Sequence, residues 1–172
     1  YTEFGSYTVG ESMAHIYSVI GQKVQNDREC WYMIDSSFIT TLPDTWGIGE
    51  KFLMLPINKW DNEYQRVVLG GITCDSHDYY DSEEHINEVF LPKLTNTDPK
   101  DAEGNKEPLY VGFFHTGAYQ DQISGYGGIK HCLIPSPKHV IVEYDKNGKL
   151  EDWVYAKEQT AQSMLKILGY LR

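Results

Sequence analysis

The sequence predicts a mainly β domain of the α+β class, and three observations carry that prediction. Six short segments rich in β-branched and aromatic residues, at 31–37, 52–56, 66–74, 109–114, 140–144 and 151–155, follow one another between turn residues. Asn147-Gly148 stands between the last two, where a tight antiparallel hairpin wants residues that accept positive φ. Helical spacing is confined to the two ends of the chain.

Taken in order, Phe4, Tyr7 and Val9 predict an extended segment. Ser12 as an N-cap, with Ile16, Val19, Ile20 and Val24 behind it, then predicts a helix. A soft boundary lies at 26–29, and the β-rich body opens at Trp31. Residues 95–108 hold Asn, Asp, Pro, Lys and Gly with hardly an apolar side chain, which predicts an exposed loop and the best site for an insertion or a nick. Over Gln159 to Leu171, Met164, Leu165, Ile167 and Leu168 fall on one side of a closing helix packed on the sheet.

At 172 residues a single core is the default. Hydrophobic residues at 41% and charged residues at 23% exclude disorder, collagen and coiled coil. The balance of 25 acidic against 15 basic side chains, a net charge of −10, argues against a nucleic-acid backbone or an anionic membrane as partner and suits a cationic small molecule. No run approaches the roughly 18–20 apolar residues of a membrane span, so a soluble, cytoplasmic protein is expected. Cys30, Cys74 and Cys132 are odd in number and widely spaced, which predicts reduced thiols. The chain opens at Tyr1 with structured-looking sequence, and a fragment of a longer polypeptide is expected.

Two segments end in groups that can carry chemistry. Gly70-Gly71-Ile72-Thr73 runs out into Cys74-Asp75-Ser76, followed by His77 and Asp78. A thiol there can move a proton, and a neighbouring carboxylate can hold an ammonium or guanidinium group. The same cluster also reads as a buried cysteine beside ordinary turn residues. In Phe113-Phe114-His115-Thr116-Gly117-Ala118-Tyr119-Gln120, small residues permit close backbone approach, and the Tyr119 hydroxyl at a cleft rim can bind a phosphate oxygen. Alternatively Gly117 and Ala118 simply turn the chain while Tyr119 covers the core. Ser124-Gly125-Tyr126-Gly127-Gly128 is Gly-rich without the frame of a phosphate-binding fingerprint and reads as a mobile loop. The acidic run Asp78, Asp81, Glu83 and Glu84 reads as a solvated turn. His15, His77, His85, His115, His131 and His139 include no pair at metal-protease spacing, so no metal ligands are assigned.

In order along the chain, Glu3-Phe4-Gly5-Ser6, Trp31 to Ser37, Cys74-Asp75-Ser76 and Gly117-Ala118-Tyr119 resemble motifs of the pyridoxal-phosphate decarboxylases of the alanine-racemase-like fold, a group with ornithine, diaminopimelate and biosynthetic arginine decarboxylases. Thr41 to Ile48 with Leu55-Pro56, and the Gly-Phe-Phe lead-in to Gly117, most resemble the arginine decarboxylases. The resemblance implies that residues 1–30 are the end of a barrel and its connecting helix. Residues 31–172 would be a C-terminal β-domain, a β-sandwich or half-open β-barrel.

It further implies pyridoxal 5'-phosphate as cofactor, with Glu3 on the pyridine nitrogen and Tyr119 on the phosphate. Cys74 would return a proton to the α-carbon after decarboxylation, and Asp75 would face the cationic end of the amino-acid substrate. A homodimer or higher homo-oligomer is implied, the Cys-Asp loop reaching the cofactor of the other subunit; Cys74 and Tyr119 at opposite ends of the sheet would contradict it. Magnesium enters through the resemblance alone. Phe4 and Ser6 stand where the commonest family pattern has Pro and Arg, so Ser6 offers at most a hydroxyl. The family's Schiff-base lysine and Gly-rich phosphate loop have no counterpart in this chain, which implies that it is inactive alone. Another basic amino-acid decarboxylase, or a silent regulatory relative, are the alternatives. A silent partner has no need of the proton donor that Cys74 would supply.

Overall fold

The computed structural model describes residues 1–26, 29–81, 89–96, 98, 100, 102–125 and 127–171. The chain divides into two compact units, Tyr1–Ile123 and Ser124–Arg172. The first opens with a short helix α1 (Gly5–Val9), a 3-10 turn (Gly10–Ser12) and the long strand β1 (Ala14–Asn26). Then come β2 (Glu29–Ile34), the one-turn helices α2 (Phe38–Thr41) and α3 (Asp44–Gly47), β3 (Leu53–Pro56), β4 (Tyr64–Gly70), β5 (Tyr79–Tyr80), β6 (Val89–Pro92), β7 (Leu109–Phe114) and α4 (Gln120–Ile123). The strands form a curled half-barrel sheet in the order β3-β7-β1-β2-β4-β5, with β6 also on β4. The mainly β class and the half-open barrel are therefore as the sequence and its resemblance implied.

The N-terminal strand and helix come in the reverse order to that expected. Gly5–Val9, capped by Phe4, forms α1, which buries no residue and closes on local hydrogen bonds: Thr8 donates to Phe4 O through both its N–H (2.9 Å) and its hydroxyl (2.7 Å). With no neighbouring strand to pair with, local bonds decide the conformation. The helix expected over Ile16 to Val24 is instead β1, paired antiparallel with β2 on one side and β7 on the other. His15, Tyr17 and Val19 point into the core while Ile16 and Ile20 lie exposed on the opposite face. Apolar residues on both faces of a strand mimic a helical spacing, and the β-branched Ile16, Val19, Ile20 and Val24 favour the extended backbone once ladders form on both sides.

The core is the inner face of this sheet capped by α2. Tyr17, Tyr32, Ile34, Phe38, Leu69, Val111 and Phe113 are buried there. Phe38 and Phe113 sit edge to face with ring centroids 5.7 Å apart, and Tyr80 meets Phe113 at 4.8 Å. Each fully buried side chain of this kind stabilises the fold by roughly 1.5–3 kcal/mol. The polar ends of the tyrosines are satisfied: Tyr17 shares a hydrogen bond with Thr41, and Tyr80 donates to Phe52 O at 3.2 Å. Burial pushes the Tyr80 phenol up to about 12.

Two polar expectations need correction. Asp78 and Asp81 are buried at 5% and 4% exposure, not solvated. Asp78 is surrounded by backbone donors, and Asp81 accepts a hydrogen bond from Lys51 Nζ at 3.3 Å. Glu83 and Glu84 of the same run, and His85, lie outside the described residues. The described residues of 95–108 are irregular apart from a bridge between Lys100 and Lys106, but Asp98 among them is buried.

The second unit holds a 3-10 turn (His131–Leu133), the hairpin β8 (His139–Tyr144) and β9 (Leu150–Ala156), and α5 (Ala161–Ile167). The Asn147-Gly148 turn joins antiparallel neighbours as expected, and the Asp145 carboxylate accepts the backbone N–H groups of Asn147 and Lys149. The closing helix is shorter than its apolar pattern predicts. It starts at a Thr160 cap that accepts the Ser163 N–H at 3.1 Å. Tyr126 is outside the described residues. No helix among the described residues is long and apolar enough to cross a membrane.

Candidate functional site

Strand direction decides where the chemistry-bearing loops emerge. β7 and β2 both run antiparallel to β1, and β4 runs parallel to β2, so β7, β2 and β4 all point the same way. Their C-terminal ends, and the start of β1 with α1 ahead of it, therefore face one end of the sheet. From that end leave Gly117-Ala118-Tyr119 after β7, Ser36-Ser37 after β2 and Cys74-Asp75-Ser76 after β4. The strand ends are staggered. Phe114 lies opposite Ala14, whereas Gly70 lies opposite Met33, which faces Gly21. The curl of the sheet nevertheless brings the two ends back together on its inner face, where the ring of Tyr80, paired opposite Leu69, meets the Phe113 ring at 4.8 Å.

The Tyr119 corner is built against the N-terminal segment. Thr116 N–H donates to Met13 O (3.0 Å) and Gly117 N–H to Gly10 O (2.9 Å), while the Thr116 hydroxyl shares a 2.8 Å hydrogen bond with His15 Nδ1. A Cβ on Gly117 would stand 1.9 Å from Val9 O and 2.6 Å from Ser12 Oγ, so only glycine allows this approach. Gly117→Ala is accordingly expected to lower the urea midpoint of unfolding by the equivalent of about 1–3 kcal/mol, because a backbone carbonyl cannot turn aside as a side chain can. An unchanged midpoint would show that the close packing is not maintained.

Tyr119 itself has φ +68, a left-handed backbone that costs a non-glycine residue roughly 1–2 kcal/mol. The fully buried Gln120 holds it there. Its Nε2 donates to Ala118 O (3.0 Å) and to Asp44 Oδ2 (2.8 Å), and its Oε1 accepts from Asp44 N–H (3.4 Å), tying the corner to α3. Next to it opens a cavity of about 460 Å³ lined by Ser6, Tyr7, Phe52 and Tyr119 together with the carboxylates of Glu11, Asp44 and Glu50. Burial, and then the charge of Asp44, raises the Glu50 carboxyl above its ordinary value.

Of the expected site residues, Tyr119 lines this cavity. Glu3 is exposed just ahead of α1 and does not line it. Cys74, exposed, and Asp75, one third exposed, lie on the separate loop between β4 and β5. Asp75 Oδ1 accepts the His77 N–H at 2.8 Å and stands 3.4 Å from His77 Nδ1. Gln120 and Asp44 were not singled out from the sequence, since nothing local marks a glutamine that reaches back 76 residues. Among the described residues no group of three or more His, Cys, Asp or Glu side chains is placed to hold a metal ion.

No family model matches the chain. It is 34% identical to the biosynthetic arginine decarboxylase of Marinobacter nauticus over 142 residues, which are 80% of this chain and 20% of that one. The arginine decarboxylase of Proteus mirabilis is 32% identical over 136 residues, 78% and 20% of the two chains. Among solved structures, the biosynthetic arginine decarboxylase of Campylobacter jejuni matches with a TM-score of 0.60 at 26% identity, over 83% of this chain and 22% of that one. The diaminopimelate decarboxylase of Helicobacter pylori, solved with L-lysine, matches with a TM-score of 0.68 at 16% identity over 95% and 34%, a likeness of fold alone. The chain spans about a fifth of the length of the curated relatives it matches. With the motif order, the half-barrel sheet and these relatives in agreement, the chain is homologous to the C-terminal part of the biosynthetic arginine decarboxylases.

Proposed function

We propose that the chain is the C-terminal β-domain of a pyridoxal-phosphate-dependent decarboxylase that converts L-arginine to agmatine and carbon dioxide, and that it acts as a homodimer. The observation that carries this reading is that the Cys74-Asp75 and Gly117-Ala118-Tyr119 loops leave one end of the sheet, while only the second of them lines the cavity. That division favours two loops that serve two sites, Tyr119 in its own subunit and Cys74 with Asp75 in the partner. The arginine decarboxylases among the relatives point to the substrate.

The residues present suit the phosphate end of the cofactor as hydrogen-bond donors. The hydroxyl-bearing Ser6, Tyr7 and Tyr119 line one cavity, and Tyr119 and Ser6 would hold the phosphate. No Lys or Arg lines it among the described residues, and His115 stands there beside three acidic side chains, so a phosphate dianion would need further positive charge from beyond these residues. When bound, pyridoxal phosphate supplies the electron sink that lets the substrate carboxylate leave as carbon dioxide. Glu3 would pair with its ring nitrogen. Asp75 would hold the guanidinium of arginine through charge-assisted hydrogen bonds. As the bond to the carboxylate breaks, its electron pair stays on the α-carbon, and the Cys74 thiol gives that carbon its proton and is reprotonated from water.

The test is carbon dioxide release by the full-length polypeptide with added pyridoxal phosphate, offered arginine, ornithine, lysine and diaminopimelate in parallel, with the 172-residue chain alone as control. Arginine-selective release with a silent control is expected. Release from another substrate would overturn the specificity, and release from none would leave a regulatory domain.

A further inference from the structure

We infer that Asp78 is a positioning residue that sets the geometry of Cys74 and Asp75, an inference that rests on the decarboxylase reading for what the loop delivers but not for how it is built. The carboxylate is buried at 5% exposure and does no work as a surface charge. Its Oδ1 accepts the Phe38 N–H at 2.8 Å, and its Oδ2 accepts the Thr73 N–H at 3.0 Å and the Thr73 hydroxyl at 2.5 Å. Thr73 Oγ1 in turn accepts the Asp75 N–H at 3.4 Å. Cys74 is thus flanked on both sides by backbone amides whose hydrogen bonds lead back to one carboxylate.

The rest of the loop is closed around the same group. Gly71 N–H donates to Asp78 O at 2.8 Å, Asp78 N–H to Asp75 O at 3.1 Å, and Ile72 N–H to Ser36 O at 3.1 Å. A Cβ on Gly71 would fall 2.2 Å from the Asp78 carboxylate, so the glycine before the motif leaves room for the latch. Through Phe38 the latch is anchored in the buried aromatic core, whereas the loop it holds is exposed at Cys74. A carboxylate suits the position because both of its oxygens face donors. An amide in its place would turn an NH2 group toward one of them.

The closing experiment reads the latch and the chemistry separately. In the 172-residue chain, Asp78→Asn should speed amide hydrogen exchange at Thr73 and Asp75 by about tenfold or more, as expected for loss of a buried charge-assisted hydrogen bond. Thr73→Val, which keeps the Asp78 bond to Phe38, should speed exchange at Asp75 alone, and Thr73→Ser should restore it; this pair keeps the test alive should Asp78→Asn fail to fold. In the full-length polypeptide with pyridoxal phosphate and arginine, Thr73→Val should lower kcat more than it raises KM and increase the fraction of transaminated by-product, and Thr73→Ser should reverse both. Unchanged exchange at Thr73 and Asp75 in the variants would overturn the latch itself. Faster exchange with an unchanged product ratio would overturn the link from the latch to proton delivery while leaving the loop architecture standing, and Cys74→Ala tests the thiol itself.

Discussion

Cys74→Ala in the full-length polypeptide is expected to lower agmatine formation roughly 10²- to 10⁴-fold, the usual worth of a positioned acid, while leaving pyridoxal phosphate affinity unchanged. The thiol sits exposed on a loop at the site end of the sheet and does not line the Tyr119 cavity, so its removal takes away no side chain from that cavity. Without the thiol, the proton reaches the substrate from water or arrives on the wrong carbon, and a transaminated by-product accumulates. Cys74→Ser should recover little, because a hydroxyl is a far weaker acid than a thiol. The measurement is the ratio of agmatine to by-product, followed beside cofactor absorbance. Loss of the cofactor with an unchanged product ratio would remove Cys74 from the chemistry.

The largest effect on stability is expected at Asp98. Lys59 Nζ is buried at 3.4 Å from Asp98 Oδ2, with both side chains at 5% exposure or less and no hydrogen bond of its own to Lys59 Nζ among the described residues. Burial alone would raise the Asp98 carboxyl. Hydrogen bonds from the Thr95 side chain and backbone and from Asn62, together with the Lys59 charge, outweigh it and bring the group down to about 2. Asp98→Ala would strand the ammonium and is expected to cost about 3 kcal/mol, read as a lower urea midpoint. Because the folded value lies below the ordinary carboxylate value of about 3.9, the contribution is present above that pH and fades as pH falls through about 2. The difference between the wild-type chain and the variant should therefore shrink over that window. Replacing both partners by apolar residues should restore much of the loss, and a variant as unstable as Asp98→Ala in that background would assign the cost to packing instead.

The sequence was legible where local pattern and tertiary role agree. The strand at Leu109–Phe114 and the Asn147-Gly148 hairpin were readable because β-branched and aromatic residues there meet turn residues at their ends. β1 was not, because its apolar residues occupy both faces and the ladders that decide its conformation come from β2 and β7. β5 and β6 are two and four residues long, too short to show a period. At the site, the four motifs were visible one by one, but their supports were not. Gln120 and Asp78 look like ordinary polar residues until distant partners close on them, Asp44 in one case and the Phe38 backbone in the other.

The pairing of Ala14 with Phe114 sets the order in which this molecule can be assembled during synthesis. β1 and β2 form a local hairpin as soon as they leave the ribosome, but the other edge of β1 stays open until β7, which runs from Leu109 to Phe114, has been made. Non-local pairing of this kind closes slowly, and the open edge is exposed to other chains meanwhile. Only when Phe114 is out can β7 fill it, and the contact of Gly117 with Gly10 follows immediately in sequence. The Tyr119 corner is thus completed at the end of the first unit's synthesis, and a chain truncated before residue 109 would lack both the β1–β7 ladder and that corner.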